Sequence, residues 1–139
     1  MVIYRLLGQD RIDRLVPEQV PFARAEDNEL SLKEVITKYK PTILVGVTAV
    51  GGLFTEDLIR ELAMHVERPI LFPLSNPTTK SECTAEQAVE WTDGRCIFAS
   101  GSPFDPVELE DGRTFFTSQC NNSEYCMPTI LLCHDGIHA

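Results

Sequence analysis

The sequence has no long apolar run. No stretch approaches the roughly 20 consecutive apolar residues that a membrane-spanning helix needs. Its opening, Met1 to Asp10, is too short and too interrupted in its apolar part for a secretory signal. Basic charge is scarce: 12 Lys and Arg stand against 21 Asp and Glu, for a formal net charge of −9. Such a surface repels phosphate backbones and argues against a nucleic-acid partner. The five cysteines are odd in number and form no Cys-x-x-Cys pair, which argues against a disulfide framework or a zinc finger. They read as reduced thiols of an intracellular protein, with Cys96 filling core space. Neither Gly-x-Gly-x-x-Gly nor Gly-Lys-Ser/Thr occurs, and no Ser-His-Asp or Cys-His set is legible. His65 reads as a surface residue at a helix C-terminus. His134 and His138 have helical spacing, but a short glycine-containing tail gives them little to bind a metal with. Repeats and low-complexity segments are missing too.

What is present suits one globular domain. The chain has 139 residues, 43% hydrophobic and 24% charged, so it is neither a disordered tail nor a collagen-like repeat. Burial of roughly 70% of the extended-chain surface is possible at this length.

Residues 1–28 read as a strand remnant and a loop. Ser31 with Glu34 forms a capping box, followed by Leu32, Val35, Ile36 and Tyr39 at helical spacing and a stop before Pro41. Thr42 to Val47 is a short, partly β-branched apolar run that reads as a strand buried on both faces. Thr55 is the expected N-cap of a helix carrying Leu58, Ile59, Leu62, Ala63 and Val66 on one stripe. Pro69 to Phe72 reads as a second strand. Thr84 with Gln87 is another capping box, and its helix ends at Asp93-Gly94. Arg95 to Ala99 is a third strand. Val107 to Leu109 and Thr114 to Phe116, around Asp111-Gly112, read as a hairpin. The fold class is therefore α/β: a partial doubly wound, Rossmann-like parallel sheet of about three strands with alternating helices plus the hairpin.

Strands added in one direction by right-handed crossovers place their helices on one face. Parallel strands need both faces covered. The strands here are apolar on both sides of the pleat, yet the helices suffice for one layer. An incomplete domain is the expectation, unless residues 1–28 or a second copy cover the open face.

Ligands of open α/β sheets bind outside the carboxyl ends of the strands. The first loop there holds Gly46, Thr48, Ala49, Gly51 and Gly52, where glycines could admit a dinucleotide or merely serve tight turns. The second is Ser75-Asn76-Pro77-Thr78. Pro77 holds Asn76 extended, so its amide can be aimed at a carboxylate or hydroxyl, or can close an Asx turn. The third is Ser100-Gly101-Ser102-Pro103-Phe104. Asn121-Asn122 could add further amides, or form a turn.

These loops carry a resemblance. Gly46-Val47-Thr48-Ala49-Val50-Gly51-Gly52-Leu53-Phe54-Thr55, Leu74-Ser75-Asn76-Pro77-Thr78, Glu82-Cys83-Thr84-Ala85-Glu86 and Phe98-Ala99-Ser100-Gly101-Ser102-Pro103-Phe104, in that order and spacing, closely resemble the malic enzymes. The resemblance is specific over residues 41–122. It implies a partial NAD(P)-binding domain over residues 1–122 and a divergent tail over 123–139. It implies oxidative decarboxylation of L-malate to pyruvate with NAD or NADP and Mg²⁺ or Mn²⁺, in an oligomer of the cytoplasm or mitochondrion. Asn76, Asn121 and Asn122 are the implied substrate-binding amides. Thr48, Ala49, Gly51, Ser75 and Asn76 are the implied cofactor contacts.

Departures from the family pattern matter as much. The dinucleotide fingerprint, the catalytic lysine and tyrosine, the malate-binding arginine and the acidic metal ligands have no counterpart in this sequence. No catalytic or metal-binding residue is therefore assigned. Ser118-Gln119-Cys120 stands where the family has Gly-Gln-Gly. The expectation is a chain without malic enzyme activity of its own, the alternative being a non-catalytic product that joins full-length subunits or does not fold stably.

Overall fold

The computed structural model describes residues 13, 15–18, 20–22, 30–109 and 111–120. Helix α1 (Leu32–Tyr39) opens at the expected capping box: Glu34 N–H donates to Ser31 Oγ at 3.3 Å and Ser31 N–H to Glu34 Oε2 at 2.7 Å. Strand β1 (Ile43–Gly46) follows, then α2 (Glu56–His65), β2 (Ile70–Pro73), a 3-10 turn (Thr78–Lys80), α3 (Ala85–Trp91) and β3 (Ile97–Ser100). The capping box of α3 forms between Thr84 and Gln87 as the spacing predicts. Thr55 occupies the N-cap of α2 but makes no side-chain capping bond, against expectation. The hairpin is present as β4 (Val107–Glu108) antiparallel to β5 (Thr114–Phe115).

A further short strand, β6 (Ser118–Gln119), was not expected from the sequence. It pairs parallel to β3, with Ala99 opposite Ser118 and Ser100 opposite Gln119. The sheet is thus four-stranded, all parallel, in the order β1-β2-β3-β6. The only two residues of β6, Ser118 and Gln119, give no β-propensity signal, which is why the sequence hides it.

Strand order that follows chain order keeps the crossover helices on one side. α1 packs on α2 and α2 on α3. The principal core joins their buried faces (Ile36, Leu58, Ile59, Leu62, Ala88, Val89) to Leu44, Leu71 and Phe98 of the sheet. The opposite face carries Ile43, Ile70 and Ile97 in one row and Val45 and Phe72 in the next. Ile43 is 43% and Val45 51% exposed, so β1 alternates between buried and exposed positions and is not buried on both faces as its composition suggested. Only Phe72, Ala99 and Cys120 form a buried cluster on that side. The residues packed against that cluster, Ile70, Leu74 and Ile97, belong to the strands and the loop after β2 and not to a helix.

The helical layer is pinned by side chains as well as by burial. Glu61 Oε1 accepts from Thr37 Oγ1 at 2.8 Å and contacts His65 Nε2 at 3.0 Å, tying α1 to α2. The Arg95 guanidinium closes the C-terminal end of α2, donating to the carbonyl of Glu67 at 2.9 Å and to that of Val66 at 3.4 Å. Such a cation satisfies carbonyls that a helix end leaves unpaired and complements its dipole. Cys83 and Cys96 are buried free thiols, whereas Cys120 is disulfide-bonded, contrary to the expectation of reduced thiols throughout. Residues 121–139, with Asn121, Asn122 and the His134/His138 pair, lie outside the described residues, as does nearly all of the proposed opening strand.

One-sided layering sets the cost of truncating each face. Leu71→Ala should lose about 2–5 kcal/mol in urea unfolding, and Val45→Ala less than about 1 kcal/mol, as at other exposed positions. Equal losses at the two positions would contradict the layering.

Candidate functional site

The carboxyl ends of β1, β2 and β3 release three loops on one edge of the sheet. Between them lies a carboxylate that the sequence reading did not single out. Glu82 is fully buried. Its Oε1 accepts from Thr48 N–H at 2.8 Å, Thr48 Oγ1 at 2.8 Å and Ser75 Oγ at 2.6 Å. Ser75 Oγ in turn accepts from Ala49 N–H at 2.9 Å, and Thr48 Oγ1 from Val50 N–H at 3.2 Å. The segment that delivers Glu82 is itself held: Gly52 N–H donates to Ser81 O at 3.1 Å and Phe54 N–H to Glu82 O at 2.9 Å.

Burial alone would push the Glu82 carboxyl up. The hydrogen bonds from Ser75 and Thr48 outweigh it and hold the group below the ordinary glutamate value. Burial pushes the neighbouring Cys83 thiol up as well, and Cys96 up to about 11. Neither thiol is a nucleophile near neutral pH.

The second loop turns on a cis peptide between Asn76 and Pro77. Asn76 is exposed at the edge. Ser102 Oγ, buried, donates to its Oδ1 at 2.8 Å, and Ser100 Oγ donates to the Ser102 carbonyl at 2.7 Å. With Oδ1 engaged, the Asn76 amide keeps its N–H groups as donors for another partner. Gly101 permits this approach, since a Cβ there would collide with the Leu74 carbonyl and come within 2.9 Å of Asn76 Nδ2.

The structure therefore brings Thr48, Ala49, Ser75 and Asn76 together, with Gly51 beside the Thr79 carbonyl. Thr48 and Ser75 turn inward to Glu82, while Ala49, Gly51 and Asn76 are exposed. Gly46 and Ser102 lie in the edge loops that the sequence indicated, though without a role assigned to either, and Glu82 was missed. The available signal was an acidic residue between two strands with no solvated helix face to sit on. An open groove of about 670 Å³ lies elsewhere, between α2, α3 and the hairpin. Its arginines, Arg60 and Arg113, are already paired with Glu56 and Asp111, at 2.7 Å each.

A divalent metal does not fit the residues described. No group of three or more His, Cys, Asp or Glu side chains converges among the described residues. Glu82 is ringed by N–H and O–H donors, the reverse of a cation's shell of oxygen acceptors.

The lowered pKa of Glu82 has a definite consequence for stability. Its contribution to stability is present above the unfolded-state pKa and is lost as pH falls through the lower folded-state value. Glu82→Gln should cost about 1–3 kcal/mol at neutral pH. That deficit should shrink on acidification, when the native carboxyl is itself protonated. A deficit independent of pH in thermal unfolding would refute an ionised Glu82.

The sequence matches known proteins over most of the chain. The malic enzyme NAD binding domain family matches residues 3–135. An NADP-dependent malic enzyme of Dictyostelium discoideum is 53% identical over 128 residues, which is 90% of this chain and 23% of that protein. The NADP-dependent malic enzyme of Mus musculus is 52% identical over 118 residues, 85% of this chain and 20% of that protein. A hydrogenosomal malic enzyme of Neocallimastix frontalis is 52% identical over 126 residues, 90% of this chain and 21% of that protein. The chain thus spans about a fifth to a quarter of the length of these relatives. It belongs to the malic enzyme family and corresponds to part of that family's NAD binding domain.

Proposed function

We propose that this chain forms one wall of a cleft for L-malate and the nicotinamide end of NAD or NADP. The parent chemistry is oxidative decarboxylation of L-malate to pyruvate. The observation that carries this reading is the Asn76 amide, exposed at the carboxyl edge and oriented by Ser102. Its N–H groups suit a malate carboxylate or hydroxyl. Asn121 and Asn122 are proposed as further amides. Ala49, Gly51 and Asn76 would meet the cofactor directly, with Thr48 and Ser75 shaping that surface from beneath. When bound, the dinucleotide would supply the hydride acceptor for malate C2; loss of the hydroxyl proton to a base and of the C4 carboxylate as CO₂, with a proton returned to C3, would complete pyruvate.

This chain alone is proposed to have no such activity, because the family's catalytic lysine and tyrosine and its acidic Mg²⁺ or Mn²⁺ ligands have no counterpart in the sequence. The proposed setting is intracellular, in cytoplasm or mitochondrion, within an oligomer. No described helix is long and apolar enough to cross a membrane. A second reading, non-catalytic association with full-length subunits, is favoured by exposed Ile43, Val45 and Val47.

Binding and turnover separate these statements. The Asn76 side-chain amide resonances of the ¹⁵N-labelled chain should shift on adding NADPH and malate together, and Asn76→Ala should remove those resonances and weaken binding at least roughly tenfold, the loss of one well-made hydrogen bond. No absorbance of reduced dinucleotide should develop with malate, NAD(P)⁺ and Mn²⁺. Unmoved Asn76 signals at millimolar ligand would sink the cleft assignment, and turnover lost in Asn76→Ala would overturn the inactivity.

A further inference from the structure

Three successive backbone N–H groups at the end of β1 converge on Glu82. Thr48 N–H reaches Oε1 directly at 2.8 Å. Ala49 N–H reaches it through Ser75 Oγ, and Val50 N–H through Thr48 Oγ1. Consecutive N–H groups in a turn with one left-handed residue make an anion-binding concavity. Ala49 is that residue, with φ 56°. A left-handed alanine costs about 1–2 kcal/mol, so something must hold it. Here the anion is a side chain of the same protein.

Gly46 makes room for it. A Cβ at Gly46 would come within 2.5 Å of Glu82 Cδ and 2.8 Å of Oε2. That second oxygen is buried and has no hydrogen-bond partner, so the whole hydrogen-bonding load falls on Oε1. A solvating role would use both oxygens. The arrangement instead ties Thr48 to Ser75, and Ser75 is the residue before Asn76.

We propose that Glu82 is a positioning residue: an internal anion that fills the amide concavity after β1 and, through Ser75, sets the place of the Asn76 amide. Asn76 is then fixed from two sides, by Glu82 through Ser75 and by the Ser102 hydroxyl. The inference rests on the reading of Asn76 as a ligand-binding amide only for what that amide goes on to do.

Replacement of the carboxylate by a small anion tests this on the full chain, without malate or dinucleotide. Glu82→Ala should unfold at a lower temperature than the native chain and should shift the Asn76 side-chain resonances in ¹H–¹⁵N spectra. Sodium formate, against matched sodium chloride, should raise its midpoint by about 3 °C, a readable ligand-linked shift for a domain of this size. It should also return the Asn76 signals toward their native positions. The native chain should not respond. A folded Glu82→Ala protein that ignores formate, or whose Asn76 signals never moved, overturns the proposal. If Glu82→Ala does not fold with or without formate, Glu82→Gln decides: displaced Asn76 signals support positioning and native ones overturn it. Because no substrate is present, failure here is distinct from failure of the malate cleft.

Discussion

A carboxylate removed from water must be compensated where it lies, and Glu82 imposes that demand on everything around it. The effective penalty for burying an ion is several kcal/mol. Hydrogen bonds to a charged acceptor contribute about 1.5–3 kcal/mol each, and Glu82 Oε1 receives three. The two quantities are of similar size, so the site survives only with every donor in place. That requirement explains a hydroxyl at both Thr48 and Ser75, the left-handed backbone at Ala49 and the bare Cα of Gly46. It also explains why the segment from Thr78 to Glu82 lies against the loop after β1, joined to it by backbone hydrogen bonds at Gly52 and Phe54.

Beneath that edge, the sheet grows in one direction, and this decides which side of it is buried. Helices that follow each strand by the same crossover stack in one layer over Leu44, Leu71 and Phe98. The rows through Ile43 and Val45 receive no such layer from the described residues. An apolar composition on both faces of β1 was legible in the sequence. That the two faces meet different surroundings was legible only from the order of the strands. The two capping boxes were readable because they are local: Ser31 and Glu34, or Thr84 and Gln87, are one turn apart and need no tertiary partner. Thr55 has the right residue type, yet the Leu58 N–H donates to the Thr55 carbonyl at 3.0 Å and not to its hydroxyl. β6 was hidden because its pairing with β3 comes from position, not propensity.

Legibility of the site divides along the same line. Asn76 stood out because Pro77 constrains it within the same dipeptide and the strand before it ends there. Glu82 lies 34 residues from Thr48, and nothing local reveals that their loops meet. Ser102 is 26 residues from Asn76 and reads as an ordinary turn serine until the third loop is seen beside the second. Residue types on a sheet edge can be read from strand ends; the side chains that hold them come from crossing loops and need the fold.

The glycines of the edge mark the difference between the two uses a strand-end loop can have. In a phosphate-binding loop, glycines bare the backbone N–H groups to an incoming anion. Here the same kind of opening is taken by the protein's own groups: Gly46 admits the Glu82 carboxylate, and Gly101 admits the Leu74 carbonyl and the Asn76 amide. The N–H groups of Thr48, Ala49 and Val50 are engaged before any ligand arrives. This edge is therefore poorly equipped to cradle a pyrophosphate. It is better suited to present one side-chain amide, fixed in place, beside the exposed Ala49. Such an edge fits a flat ring and a small polar acid more readily than a phosphate. The proposed nicotinamide and malate end of the cleft is thus favoured over its phosphate end by the same three hydrogen bonds that keep Glu82 buried.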